Sequence, residues 1–432
     1  MSEPTNADPG PQHCPRAPIL LAGGVIGLFV IVLASAVLVT AAQGGGNGRP
    51  NVGSFAPTLS EASTGGPVES AGATPTASPA PTASPVPTIG GFFSPTGSMT
   101  TDRGLPTATL LADGRVLIAG GWVPGTTGAN SGGANNAGVE RLRSAELYDP
   151  KTGTFGLTGS MAIGRVGQTA TLLADGRVLI TGGSGGVGPS AELYDPKTGT
   201  FRITGSMRTS RDGQTATLLA DGRVLIAGGW SPEATLSSAE LYDPKTGSFG
   251  ATGLMTTVRE AATATRLADG RVLVAGGFDG TSWLSSAELY DPATGTFRST
   301  GSMRDARDDH TGTLLADGRV LIAGGSDSAW LSSAELYDPI SGNFSPTGSM
   351  SARRQAATAT LLADGRILVT GGYNGDFLSS AELYDPTAGS FNSAGSMAIG
   401  RQGHSATLLA DGRVLIAGGD GRRGPSAELY LP

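Results

Sequence analysis

Cysteine, lysine and histidine are nearly missing from this 432-residue chain, and each shortage closes off a class of function. The one cysteine, Cys14, allows no intrachain disulfide, so any folded part is held by packing alone. Cys14 also lacks the run of small residues that precedes a lipidated cysteine, which argues against a lipid anchor. Three lysines stand against 26 arginines, and the net charge of −7 is spread along the chain. Phosphate backbones are met by a basic stripe, so nucleic acid is excluded as a partner. Of the three histidines, only His310 and His404 fall in the C-terminal part, too few to converge on one ion. There is no Gly-rich phosphate loop opening a helix, no His-Glu-x-x-His and no nucleophile elbow. No catalytic residue, metal ligand or cofactor is therefore assigned.

Glycine, in contrast, is plentiful: 69 residues, with 27 prolines and no collagen period. That composition points to many tight turns, and hence to many short strands. The phrase Leu-Ala-Asp-Gly-Arg, followed by an apolar run and Gly-Gly, recurs seven times. Its aspartates are Asp113, Asp175, Asp221, Asp269, Asp317, Asp364 and Asp411, and after a first interval of 62 they lie 46 to 48 residues apart. A fixed period in this range marks one supersecondary unit stacked many times.

Three regions precede and include the repeats. A short polar tail, 1–16, leads into residues 17–42, which are almost wholly apolar and uncharged. At 1.5 Å per residue this run reaches roughly 36 Å, enough for a hydrocarbon core of about 30 Å. A signal peptide has a shorter apolar core and a basic front end, whereas this front end carries Glu3, Asp8 and Arg16. The run is therefore predicted to be an uncleaved single-pass anchor, with secretion after cleavage as the alternative. Residues 43–89 turn to Gly, then to Pro, Thr, Ala and Ser, and read as a linker that cannot bury a core. Such stalks are common outside cells, which places the remaining 90–432 on the extracytoplasmic side. Oligomeric state is left open.

One repeat reads as four strands. Arg165–Leu173 forms the first, and the Asp175-Gly176 hairpin turns it into the second, Arg177–Gly183. Ser190–Tyr194 is the third, and Asp195-Pro196-Lys197-Thr198-Gly199 turns it into the fourth, Thr200–Met207. The phrase closing the fourth strand already occurs at Gly91–Met99, before any first strand, while the last copy stops at Pro432 after its third. Pairing these two ends completes a ring. The expected fold is all-β: a seven-bladed β-propeller of four-stranded antiparallel blades, preceded by one transmembrane helix.

These residues resemble the kelch repeat: Arg before the first strand, Gly-Gly after the second, Ser-x-Glu-x-Tyr-Asp-Pro, an aromatic, then Met with Arg four residues on. The Asp-Gly-Arg variant is similar to galactose-oxidase-like seven-bladed propellers. Phe93, Phe155 and Phe201 stand where kelch repeats usually have Trp. Likeness to galactose oxidase would imply copper held by Tyr and His, with a Tyr cross-linked to Cys. The repeat region has no Cys, so copper-radical chemistry is not expected.

Strand alternation sorts the connections onto two faces. The Asp-Gly and Asp-Pro-x-x-Gly turns share one that hardly varies. The second-to-third loops share the other with the interblade links, and there the copies differ. That variable face carries Trp122, Trp230, Phe278, Trp283, Trp330, Tyr373 and Phe377, a set suited to sugar or peptide contacts unless each ring packs on its own blade. The long loop 121–143 is either a lid or a tolerated insertion.

Seven arginines, among them Arg307 and Arg401, are placed near the channel mouth. Kelch adaptors use similar arginines to hold acidic peptides. Seven glutamates recur in step, however, so internal pairing is the competing reading. His310 and His404 occupy one slot in two blades and complete the candidate ligand-binding set.

The functional expectation is a membrane-tethered, non-catalytic binding or scaffold module for a protein or glycan. The alternative is an extracellular glycan hydrolase or lyase using acids such as Glu260 and Asp308.

Overall fold

The structure, a computed structural model, describes residues 91–123, 140–184, 188–420 and 424–432. The anchor expected over 17–42, the linker over 43–89 and most of the loop 121–143 lie outside the described residues.

Seven four-stranded antiparallel sheets make up the fold. Blade 1 opens on Thr107–Leu110, blade 2 on Thr169–Leu172, blade 3 on Thr215–Leu218 and blade 4 on Thr263–Arg266. Blades 5, 6 and 7 open on Thr311–Leu314, Thr358–Leu361 and Ser405–Leu408. These first strands lie innermost, each beside the first strands of its two neighbours around the ring. The seventh sheet takes Phe92–Pro95 as its outer strand, paired in register with Ala427–Leu431, Phe93 opposite Tyr430. The first and last described strands are thus stitched into one blade.

Local chemistry explains the strand breaks. In the first hairpin of blade 3, Asp221 accepts the Arg223 amide at 3.0 Å and its Nε at 2.7 Å, while Gly222 sits at φ +86° with open space around it. At the third-to-fourth turn of blade 2, Gly199 donates to Asp195 O at 2.8 Å with φ +68°. Both turns need a left-handed residue, which glycine adopts without steric cost.

Second strands such as Val320–Ala323 are wholly buried, and apolar clusters fill the spaces between blades rather than one central core. Between blades 4 and 5, Leu273, Leu289 and Met303 meet Val320, Ile322 and Tyr337. Phe344, one of the residues standing for the usual Trp, packs 4.9 Å from Tyr337 between ring centroids.

The outer edges carry a repeated latch. Thr300 of blade 4 bonds the Tyr337 hydroxyl of blade 5 at 2.9 Å and donates to Gly342 O at 3.1 Å, and Gly301 N reaches the same carbonyl at 2.8 Å. Thr96, Thr158, Thr204, Thr252 and Thr347 do the same at five other joints.

Candidate functional site

On the variable face each blade begins with a four-residue turn at the channel mouth. Its first position is the recurring arginine. Arg307 donates from Nη1 to Gly324 O at 2.6 Å and Ser333 O at 3.1 Å, and from Nη2 to Ser333 Oγ at 3.0 Å and Glu335 Oε1 at 3.2 Å. Arg401 repeats this with Gly418, Ser426 and Glu428. All seven arginines are buried, each on a glutamate of its own blade. Internal pairing thus replaces the ligand-facing role considered for Arg307 and Arg401. Their guanidinium groups are sealed from solvent, with Nε of Arg307 and of Arg401 buried and without a hydrogen-bond partner.

The fourth position is a strut into the preceding blade. His310 Nε2 lies 3.0 Å from Thr263 Oγ1, and His404 Nε2 lies 3.0 Å from Thr358 Oγ1 and 2.9 Å from Thr370 Oγ1. Gln168 and Gln214 fill the same slot, donating to Ala119 O at 3.0 Å and Thr181 O at 2.9 Å. Burial, then the nearby arginines, hold both histidines down at about 3, so they are neutral at pH 7. As ligand-binding candidates His310 and His404 are corrected as well: they are interblade spacers.

The third position is left-handed in all seven blades. Glycine fills it in three (Gly167, Gly213, Gly403), but Leu105, Ala261, Asp309 and Ala356 adopt φ of 48–58°. Their amides help tie the mouth: Leu105 N reaches Gly403 O at 3.0 Å, and Ala356 N reaches Asp309 O at 3.0 Å. Strain of this kind persists only where the surroundings dictate it.

Symmetry breaks most at the second position, which is bridged to the residue after Gly-Gly. Three consecutive blades place a carboxylate there: Asp212 opposite Trp230, Glu260 opposite Phe278 and Asp308 opposite Ser326. Burial lifts Asp212 to about 6 and Asp308 to about 6, the latter against the bond it accepts from Ser326 Oγ at 2.7 Å. Glu260 is raised to about 7 by burial and by the neighbouring charges of Asp212 and Asp308. Asp420 of blade 7 is lifted to about 7 by burial, with Asp102 adding to it. Sequence reading singled out Glu260 and Asp308 from this crescent. It missed Asp212, whose equivalence needed the four-residue turn to be aligned in every copy.

The candidate aromatics remain on this face, all partly exposed. Five of the seven pack on one another. Phe278 and Trp283 stack within the blade 4 loop at 5.6 Å. Trp330 of blade 5 meets Tyr373 of blade 6 edge-on at 5.7 Å, and Tyr373 meets Phe377 at 5.6 Å. Trp230 bridges Asp212 and Thr235, so it borders the crescent. Trp122 stands apart over Gly104, beside Asp420.

With this geometry in view, the class is clear: a seven-bladed propeller whose mouth turns and interblade latches follow one repeat. Kelch motif sequences match residues 214–249, 264–304 and 356–398, which fall in blades 3, 4 and 6. The chain is a kelch-repeat propeller of galactose-oxidase-like fold. Among solved structures it is similar to a novel fungal alcohol oxidase with catalytic diversity among the AA5 family, in complex with copper. That likeness has a TM-score of 0.64 at 20% identity, over 79% of this chain and 76% of the other. No curated protein matches the chain.

At that identity the likeness carries the fold alone, and the donor set here does not fit copper. The two histidines are buried struts two blades apart, and six of the tyrosines are engaged in the outer latches. Among the described residues, no three His, Cys, Asp or Glu side chains lie close enough to hold a metal ion.

Proposed function

We propose that the propeller is a binding module whose variable face takes a protein or glycan ligand, held at the membrane by residues 17–42 on its extracytoplasmic side. The observation that carries this reading is the aromatic array of blades 4 to 6. Rings that are part-exposed and already packed on one another lose little entropy on binding and offer large contact areas. The repetitive face offers no such set: its Asp-Arg pairs, such as Asp317 with Arg319, are satisfied within their own hairpins.

Glycan and peptide arrays probed with the purified chain test the proposal. Trp330→Ala and Trp283→Ala are expected to weaken any hit at least 10-fold, in line with aromatic hot spots, while Arg319→Ala leaves it unchanged. A hit indifferent to both tryptophans would refute this face as the ligand site. Protease protection in sealed vesicles tests the tether and its orientation.

A second reading is supported by the crescent itself. Glu260, raised to about 7 between two like charges, has the proton affinity of a general acid, as a glycan hydrolase or lyase requires. Reducing ends released from a bound glycan by the wild-type chain, and not by Glu260→Gln, would favour it. Binding without turnover favours the module.

A further inference from the structure

Of the seven joints between blades, six carry the complete outer latch and one does not. At the joint between blades 6 and 7, Ala394 stands where the other blades have the latching threonine. Among the described residues Tyr430 consequently meets no threonine hydroxyl, and the backbone of Gly91 faces its phenol instead. Gly395, at φ +83°, makes none of the amide-to-carbonyl bonds that Gly348 or Gly301 makes to the next blade.

The outer strand of blade 6 has turned inward instead. It runs from Ser390 to Ser396, longer than the four-residue outer strands elsewhere, and its register shifts so that Ser396 pairs with Ser380 of its own blade. Pairing within the blade is longer here and the threonine latch is missing, while the outer strands of blades 6 and 7 still lie beside one another.

The inner edge of the same joint is intact. His404 bridges both Thr358 and Thr370, and Gly403 N donates to Ala356 O at 3.2 Å. We propose that the ring has a built-in opening joint between blades 6 and 7, hinged at the channel by His404 and unlatched at the rim by Ala394. The chain also enters the propeller here. A Cβ on Gly91 would strike the Tyr430 ring and Leu431 O, so the entering strand packs closely on the blade 7 side of this joint.

Thiol labelling of the full-length chain in a Cys14→Ser background tests this. Leu383 lies in the cluster between blades 6 and 7, and Leu289 is its counterpart between blades 4 and 5. Each is changed to Cys in a separate variant, and folding is checked by circular dichroism. With the latch bonds absent at its joint, Leu383→Cys is expected to label about 10- to 100-fold faster than Leu289→Cys. Adding Thr300→Ala to Leu289→Cys removes that joint's latch and is expected to close most of the gap. Equal labelling at the two sites overturns the proposal. So does a Thr300→Ala change with no effect, because the latches would then not govern opening.

Discussion

Arginine at the channel mouth behaves as an internal clasp. Arg259 spans Gly276 O, Ser286 and Glu288 within one blade, sealed from water. Removing one partner of such a pair strands the other, which costs about 3–5 kcal/mol. Arg259→Ala is expected to lose that much in urea unfolding. Arg259→Lys should not recover it, since a single ammonium cannot reproduce the planar fork.

The crescent makes a prediction of opposite character. Glu260 binds its proton more tightly folded, at about 7, than at its ordinary value of 4.5. Between those values the native state holds more protons than the unfolded chain, so stability falls as pH rises through the window. Melting curves at pH 5 and pH 8 should show the fall, and Glu260→Gln should flatten it. An unchanged slope in that variant would place its source elsewhere.

At the scale of elements, the closing strand and the mouth turns matter most. Deleting Gly91–Met99 removes the outer strand of blade 7 and the Thr96 latch to blade 1. A large drop in melting temperature is expected, and a melting curve unaffected by the deletion would contradict the closure. In the mouth turns, Ala261 and Ala356 adopt φ of 58° and 50°, a region that penalises a Cβ. Ala261→Gly should stabilise the chain by up to about 1 kcal/mol, read from the shift in urea midpoint.

At the scale of the whole molecule, fold and function separate. The likeness to a copper-bound oxidase, at 20% identity, carries the ring of blades and no function. Cu(II) added in modest excess is expected to leave the melting temperature unchanged. A rise of several degrees, by linkage, would reveal a site the donor geometry does not provide.

Blade number, hairpins and core strands were legible because each is a local consequence of residue order. Asp-Gly turns, apolar runs and Gly-Gly stops act within a few residues and recur seven times, so counting was enough. The matching counts of Arg and Glu likewise pointed to pairing, although not to its complete burial. What only the tertiary structure decided concerns residues that meet across blades. Asp212, Glu260 and Asp308 lie 48 residues apart in sequence and become one electrostatic group because the ring sets equivalent positions side by side. His310 and His404 resembled exposed ligands until the ring turned them into the neighbouring blade. Ala394 is one substitution among many in the repeats, and its meaning appears only where Tyr430 of the next blade is left without its threonine.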